Sequence, residues 1–252
     1  MSDRVLAALD GGVLTATLNR PEKKNAIDTP MIDALLTLLE RADLDSAVRV
    51  VAVRGAGGDF CAGMDLNELL ASADKSVEQN RQAALHFAEI FVRMRRIPKP
   101  IVAVVHGRAL AGGCGLATAC DLVLATESAK FGYPEVQRGF VPAIVMTLLK
   151  RTTGEKVAFD LAATGRILGA PEAVGLGLVS RVYEDSDFED QVAEVLRALA
   201  AASPSALAFT KQQFYELDGL RFEDGIRLGA DVNAVSRTTP DFRAALQAFL
   251  KK

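Results

Sequence analysis

The sequence is poor in the residues that build disulfide frameworks and metal centres. Its 252 residues contain two histidines and three cysteines, Cys61, Cys114 and Cys120. Three cysteines cannot all pair within one chain, and their spacing does not match a zinc site. We therefore expect no metal ion, and the cysteine usage indicates a reducing, cytoplasmic environment.

Long apolar runs and a dominant charge are also missing. The longest apolar runs, such as Ile101–Val105, are far too short to cross a bilayer, and the first residues lack the pattern of a secretory signal. The formal net charge is −3, which does not provide the broad basic surface that a polyanion requires. We expect neither a nucleic acid nor a membrane as a partner.

What the sequence does contain is typical of a globular protein with a sizeable core. Half of the residues are apolar and 24% are charged. Up to residue 187, runs of strand length alternate with helical periodicities, which predicts an α/β core with some parallel pairing. The chain from 188 to 252 is predicted to be a helical region that packs on the core or on another subunit. Its predicted helices are 188–202, 204–216, 222–236 and 242–250.

The core begins with a predicted hairpin and a capped helix. Residues 5–9 and 13–18 are compatible with strands, and the Asp-Gly-Gly sequence at 10–12 supplies residues that tolerate a positive φ. Thr29 is the predicted N-cap of the next helix, with Pro30 at its first position.

Two glycine-rich segments, 58–66 and 106–116, lie where a predicted strand gives way to a helix. The first N–H groups of a helix have no partner inside it, and glycine lets a ligand approach the backbone closely. Two such N–H groups converging on one oxygen would form an oxyanion hole. The alternative is that the small residues merely allow tight packing between helix and strand.

A third segment, 129–136, carries the carboxylate of Glu135 directly after Pro134. In a partly dry site with a reactive carbon within reach, this carboxylate could act as a general acid or base. The alternatives are a helix N-terminal charge or half of a surface ion pair.

Together, four ordered motifs resemble the crotonase superfamily, the enoyl-CoA hydratase/isomerase family, over nearly the whole chain. They are LNRPEKKNA at 18–26, FCAGMDL at 60–66, KPIVAVVHG at 99–107 with AGGC at 111–114, and FGYPE at 131–135. The resemblance implies an α/β fold with a crotonase-like spiral core of repeated ββα units and a C-terminal helical region. It also implies a homotrimer or a dimer of trimers.

The resemblance further implies a set of site residues for an acyl-CoA thioester substrate. The N–H groups of Met64 and Gly112 would hold the thioester oxygen of an enolate, and Glu135 would be the acid/base. The predicted substrate-binding residues are Lys23, Ala26, Ala62, Asp65, Leu66 and Gly115. Coenzyme A is part of the substrate, and no further cofactor is implied.

Gly115 is a departure from the family's pattern. The best-known hydratases of the family carry a second glutamate at this position, whereas glycine has no side chain. The expected activity is enoyl-CoA hydration in fatty acid metabolism. One carboxylate is enough for the alternative, the movement of a double bond between the β,γ and α,β positions. A protein that binds acyl-CoA without turnover is the third possibility.

Overall fold

Two β-sheets form the framework of the first three quarters of the chain. The computed structural model describes residues 3–251 of the 252, so Met1, Ser2 and Lys252 lie outside the description. The six-stranded sheet has the order β1-β2-β3-β4-β6-β9 and the three-stranded sheet has the order β5-β7-β8. The strands are Val5–Asp10 (β1), Val13–Leu18 (β2), Val50–Gly55 (β3), Ile101–Val105 (β4), Arg108–Leu110 (β5), Leu122–Thr126 (β6), Lys130–Gly132 (β7), Ile167–Gly169 (β8) and Arg181–Tyr183 (β9).

Eleven α-helices pack around these sheets in the described part of the chain. They are Thr29–Leu44 (α1), Leu66–Ala71 (α2), Val77–Arg96 (α3), Gly112–Ala119 (α4), Ala143–Thr153 (α5), Glu155–Thr164 (α6), Ala170–Gly175 (α7), Phe188–Ala201 (α8), Pro204–Glu216 (α9), Phe222–Ser236 (α10) and Pro240–Leu250 (α11). The predicted α/β core and C-terminal helical region are confirmed. The predicted hairpin is also confirmed, because β1 and β2 pair antiparallel with Asp10 opposite Val13.

The chain repeats a unit of strand, short strand and helix. β4 lies in the large sheet, β5 follows in the small sheet, and α4 completes the unit; β6, β7 and α5 repeat this order. In the two preceding units the short strand is reduced to single parallel bridges, Ile27 with Met64 and Cys61 with Ala109. Successive units stack on one another, so their short strands lie side by side. Residues far apart in the sequence therefore meet in and beside the small sheet.

The central strands of the large sheet, β3 and β4, are buried on both faces, whereas most of the edge strand β1 is exposed. Side chains of successive strand residues point to opposite faces. Val51 and Val53 of β3 therefore join the main core, whereas Val50 and Ala52 pack with Phe188 of α8 on the other face. The C-terminal helical region thus begins as a cover for the sheet. The division of the chain at residue 187 stays a prediction.

The last two helices differ from the rest of the fold. None of the described residues of α10 or α11 is buried. Several of their apolar side chains face outwards, and Phe222 is 79% exposed. Within residues 3–251, no single helix has the length and apolarity to cross a membrane, although α8 and α9 pass that test jointly across a 100° bend.

The N-cap of α1 differs from the prediction. Thr29 is the first residue of the helix, and Asp28 caps it, since its Oδ1 accepts a hydrogen bond of 3.0 Å from the Met31 N–H. Aspartate and threonine both accept from these N–H groups. Asp28 is the N-cap because it is the last residue with the extended backbone that a cap requires, with φ −107° and ψ 169°.

Candidate active site

The N–H group of Met64 is held in a fixed direction by its own peptide unit. The C=O of Gly63 accepts a 2.8 Å hydrogen bond from the Ile27 N–H. Because a trans peptide is planar, its C=O and N–H point in opposite directions. The Met64 N–H therefore points away from Ile27, and it has no acceptor within residues 3–251.

The N–H group of Gly112 lies at the start of α4, where helical N–H groups have no internal partner. The preceding residue, Ala111, has a φ of 51°, which is unfavourable for a residue with a Cβ. A 2.8 Å hydrogen bond from the Ala111 N–H to the C=O of Gly132 holds this conformation. Gly112 is buried, and its N–H has no acceptor in the described part of the chain. Backbone strain next to a buried, unpaired donor is typical of a functional site.

Parallel pairing brings the two donor segments together. Cys61 pairs with Ala109, and the Leu110 N–H donates to the C=O of Cys61 at 2.9 Å. Gly63 has a φ of 98°, and a Cβ at this residue would lie 2.8 Å from the Ala111 Cβ and 3.3 Å from the Gly112 nitrogen. Only glycine fits this approach. The two N–H donors thus belong to neighbouring backbone segments in direct contact.

Glu135 lies in a 3₁₀ helix, Pro134–Arg138, which begins one residue after β7. Its side chain belongs to a residue that is only 7% exposed, and Oε2 is buried with no hydrogen-bond partner among the described residues. Burial raises the pKa of Glu135, and its own backbone N–H and the charge of Arg138 offset part of that rise. A carboxylate oxygen without a protein partner is available to exchange a proton with a bound molecule.

The turn that carries Glu135 is fastened to α4. The Tyr133 hydroxyl lies 2.9 Å from Oγ1 of Thr118, and Gly132 accepts the hydrogen bond from Ala111. The carboxylate is close enough to Cys114, in the first turn of α4, to contribute to the raised pKa of that thiol. Burial, the largest cause, brings the pKa of Cys114 to about 11, so this thiol is not ionised at neutral pH.

Gly115 faces the side chain of Val145. A Cβ added at Gly115 would lie 2.1 Å from Cγ1 of Val145, which comes from the first turn of α5. Val145 is itself buried. An apolar side chain therefore occupies the direction in which a residue other than glycine would extend from α4. The predicted contact between Gly115 and the substrate stays a prediction.

The predicted coenzyme A residues flank the first donor segment. Lys23 is exposed, and Ala26 and Ala62 are half-buried. The Ala26 N–H donates to Lys23 at 3.1 Å, and the Ala62 N–H donates to Lys24 at 2.9 Å. Hydrogen bonds within the protein therefore already use both alanine N–H groups. The Ala26 C=O also accepts from Nη1 of Arg20 at 2.7 Å, so of these four backbone groups the Ala62 C=O is the one with no partner among the described residues. The predicted contacts of Lys23, Ala26 and Ala62 with coenzyme A stay predictions.

Asp65 and Leu66 follow Met64 and differ in orientation. Both carboxylate oxygens of Asp65 are used inside the protein, Oδ1 by the Asn67 N–H at 2.8 Å and Oδ2 by Nη2 of Arg20 at 2.8 Å. Burial raises the pKa of Asp65, but these hydrogen bonds outweigh it and the pKa is lowered overall. Asp65 is only 6% exposed, whereas Leu66 is 60% exposed beside the donor. The predicted contacts of both residues with the substrate stay predictions.

Sequence reasoning missed Arg20 and Val145. Arg20 is only 7% exposed, yet it lies within the recognised motif LNRPEKKNA, where a proline directly follows it. The sequence did contain a signal for Arg20, since it is a charged residue within a recognised motif and had no assigned role. Val145 had no such signal, because its contact with Gly115 joins two helices across the fold.

Comparisons with known proteins agree with the motifs and the geometry. The family Enoyl-CoA hydratase/isomerase matches residues 9–252. The chain therefore belongs to this family, and its fold is that of the crotonases.

Individual relatives cover nearly the whole chain. A Thermus thermophilus protein, to which its name assigns enoyl-CoA hydratase activity by inference, is 40% identical over 96% of this chain and 96% of its own. The 1,2-epoxyphenylacetyl-CoA isomerase of Escherichia coli is 31% identical over 100% of this chain and 97% of its own. The solved structure of an enoyl-CoA hydratase from Mycobacterium smegmatis superposes with a TM-score of 0.94, at 32% identity, over 99% of this chain and 97% of its own. These relatives include both a hydratase and an isomerase.

Proposed function

We propose that this protein is an enoyl-CoA hydratase that acts through an enolate of the thioester. The observation that carries this proposal is the buried Oε2 of Glu135, which has no partner among the described residues and lies on a turn fastened to the helix that begins at Gly112. The names of the relatives support a 2-enoyl-CoA as the substrate.

The two unpaired N–H groups have the chemistry of an oxyanion hole. The thioester oxygen accepts from the N–H groups of Met64 and Gly112, and both bonds strengthen when negative charge moves onto that oxygen. The positive end of the α4 dipole adds to the effect. Enolate formation from the thioester is therefore the step that this backbone accelerates.

Glu135 moves the proton. Its ionised carboxylate takes a proton from water while the water oxygen bonds to C3 and the C2–C3 double bond becomes the enolate. Glu135 then returns the proton to C2, so one water molecule is added in total and the carboxylate is regenerated. A raised pKa suits this role, since the same group must accept and give a proton near neutral pH.

Double-bond isomerisation is the second candidate, and the contact between Gly115 and Val145 favours it. Glu135 would remove a proton from C2 of a 3-enoyl-CoA and return it to C4, which leaves the double bond between C2 and C3. This reaction needs one carboxylate and no positioned water. An apolar side chain packed against Gly115 is therefore more compatible with isomerisation than with hydration, which needs a positioned water.

The conjugated thioester absorbance distinguishes these reactions. Purified protein is incubated with a short and a long 2-enoyl-CoA and with a 3-enoyl-CoA. Loss of absorbance from a 2-enoyl substrate indicates hydration, and gain from a 3-enoyl substrate indicates isomerisation. Coenzyme A binding by calorimetry without turnover of any thioester would contradict both and indicate an acyl-CoA-binding protein.

We also propose that the chain assembles as a homotrimer or a dimer of trimers, because α10 and α11 expose apolar side chains that a lone chain leaves in water. Sedimentation should give a species of three or six chains. Phe222→Ser should shift it towards the monomer, and a wild-type monomer at micromolar concentration would contradict the proposal.

A further inference from the structure

We infer that Arg20 is a positioning residue that fixes the direction of the Met64 N–H. This inference rests on the proposed function, in which that N–H receives the charge of the enolate oxygen. Arg20 is buried two residues after the end of β2, and it contacts both segments that determine how the Met64 peptide lies.

The first contact of Arg20 is with the neighbours of Ile27. Ile27 pins the peptide on both sides of Met64, since its N–H donates to Gly63 and its C=O accepts from the Asp65 N–H, each at 2.8 Å. Nη1 of Arg20 donates to the C=O of Ala26 at 2.7 Å and lies 3.3 Å from Oδ2 of Asp28. One guanidinium therefore holds the residues directly before and after Ile27.

The second contact is with Asp65, the neighbour of Met64 itself. Nη2 of Arg20 donates to Oδ2 of Asp65 at 2.8 Å, while Oδ1 accepts from Asn67 as the N-cap of α2. Arg20 thus connects the Ile27 segment to the residue that follows the donor. Nε of Arg20 is buried and has no partner among the described residues, so the hydrogen bonds of the guanidinium are those of Nη1 and Nη2.

The planar fork of arginine is needed for this arrangement. It presents separate N–H donors in fixed directions, whereas lysine offers a single ammonium group that cannot span the Ala26 carbonyl and the Asp65 carboxylate with the same geometry. A rotated Met64 peptide would weaken the hydrogen bond to the enolate oxygen without removing the donor. The contribution is therefore to the transition state more than to substrate binding.

Asp65→Asn is the primary test because it is the mildest change. Asparagine is a good N-cap, so its one carbonyl oxygen can keep the Asn67 bond, and the bond from Arg20 is lost. Loss of a complete oxyanion donor lowers kcat about 100- to 1000-fold, so a misdirected donor should lower it about tenfold or more. We expect KM and the Kd of coenzyme A to change less than about twofold, because the binding groups remain.

A second readout is the exchange of the C2 proton of a saturated acyl-CoA with deuterium, followed by NMR. This exchange reports enolate formation alone, and it should slow by the same factor as kcat in Asp65→Asn. Arg20→Lys should lower both rates further, because it disturbs Ala26 and Asp28 as well as Asp65.

Asp121→Asn is a matched control two residues beyond the C-terminal end of α4. Oδ2 of Asp121 also accepts from a buried cation, Lys211 at 2.7 Å, and from a backbone N–H, that of Ile101 at 2.7 Å. This variant should lower Tm while kcat and the exchange rate stay within about twofold of wild type. A general loss of stability is thereby separated from a loss of positioning.

Two results would overturn the inference, and they are distinguishable. If wild type turns over a thioester and Asp65→Asn keeps kcat and the exchange rate while Tm falls as in Asp121→Asn, Arg20 is only structural. If wild type neither turns over nor exchanges any thioester, the proposed function fails and the inference fails with it. A fall in kcat and exchange with retained coenzyme A affinity supports the inference.

Discussion

The α/β core and the last two helices differ in how far their apolar side chains are buried. In the core, the apolar residues of the inner strands β3, β4 and β6 are mostly buried, and the buried charged residues are few and mostly paired. In α10 and α11, no described residue is buried, and large apolar side chains such as Phe222 and Phe249 face outwards. The apolar side chains of the core pack against one another, whereas those exposed on these helices are the observation behind the proposed assembly.

Two buried polar clusters differ in what they connect. In the first, Arg20 joins Ala26 and Asp65, two parts of the core beside the Met64 donor. A second cluster attaches α9 to the core, where Lys211 and the Tyr215 hydroxyl both contact Asp121 at 2.7 Å. Burial lowers the pKa of Lys211, and the charge of Asp121 and its hydrogen bond oppose this effect. We infer that the first cluster positions the Met64 N–H, whereas the second attaches α9 to the core.

The largest effect should come from Glu135→Gln. Removing the acid/base should lower kcat about 1000-fold, within the range usual for such groups. The exposed Glu172→Gln, which pairs with Arg166 on the surface, is the control and should keep full activity. Retained activity in Glu135→Gln would show that the proton passes through another group.

The same variant tests the cost of burying the charge. Because the folded pKa of Glu135 is raised, the wild-type protein loses stability as the pH rises through that pKa, and the neutral glutamine avoids this loss. Glu135→Gln should therefore be more stable than wild type at pH 8 and similar to it below the pKa of an unfolded glutamate. Chemical denaturation at both pH values measures the difference.

Gly115→Ala should give the next largest effect. Its Cβ would lie 2.1 Å from a buried Val145 methyl group, and overpacking of this kind costs about 1–3 kcal/mol of unfolding free energy. Adding Val145→Ala should recover part of this cost, so the two changes should not be additive in denaturant titrations. Additive changes would mean that Val145 does not fill this space.

Much of the fold was predictable because its causes are local. Hydrophobic periodicity predicted α9 and α10 with their observed bounds, and the turn residues predicted the β1–β2 hairpin. The site was predictable as segments, because glycines and Glu135 lie in ordered motifs. Two contacts were not predictable, because they join segments that are distant in the sequence and no local pattern indicates them. They are the hydrogen bonds of Arg20 to Ala26 and Asp65 and the packing of Val145 against Gly115.

The acid limb of the pH–rate profile should respond to Arg138. As a base, Glu135 must be ionised, so kcat/KM should fall as the pH drops through its raised pKa. The positive charge of Arg138 lowers that pKa, so Arg138→Gln should move the limb to higher pH. Arg138→Lys keeps the charge and should leave the limb in place. A shift in the opposite direction would exclude Glu135 as the group that titrates.

The smallest effect should come from Gly225→Ala in α10, the counterpart of Gly115→Ala in the core. A Cβ at Gly225 would lie 3.0 Å from the end of the Leu217 side chain, which is partly exposed and free to move aside. Alanine favours a helix over glycine by about 1 kcal/mol, so this substitution should be neutral or slightly stabilising. Thermal unfolding of the two variants side by side measures the contrast. If Gly225→Ala destabilised the protein as strongly as Gly115→Ala, the outer helices would be as tightly packed as the core, and their exposed apolar surface would need another explanation.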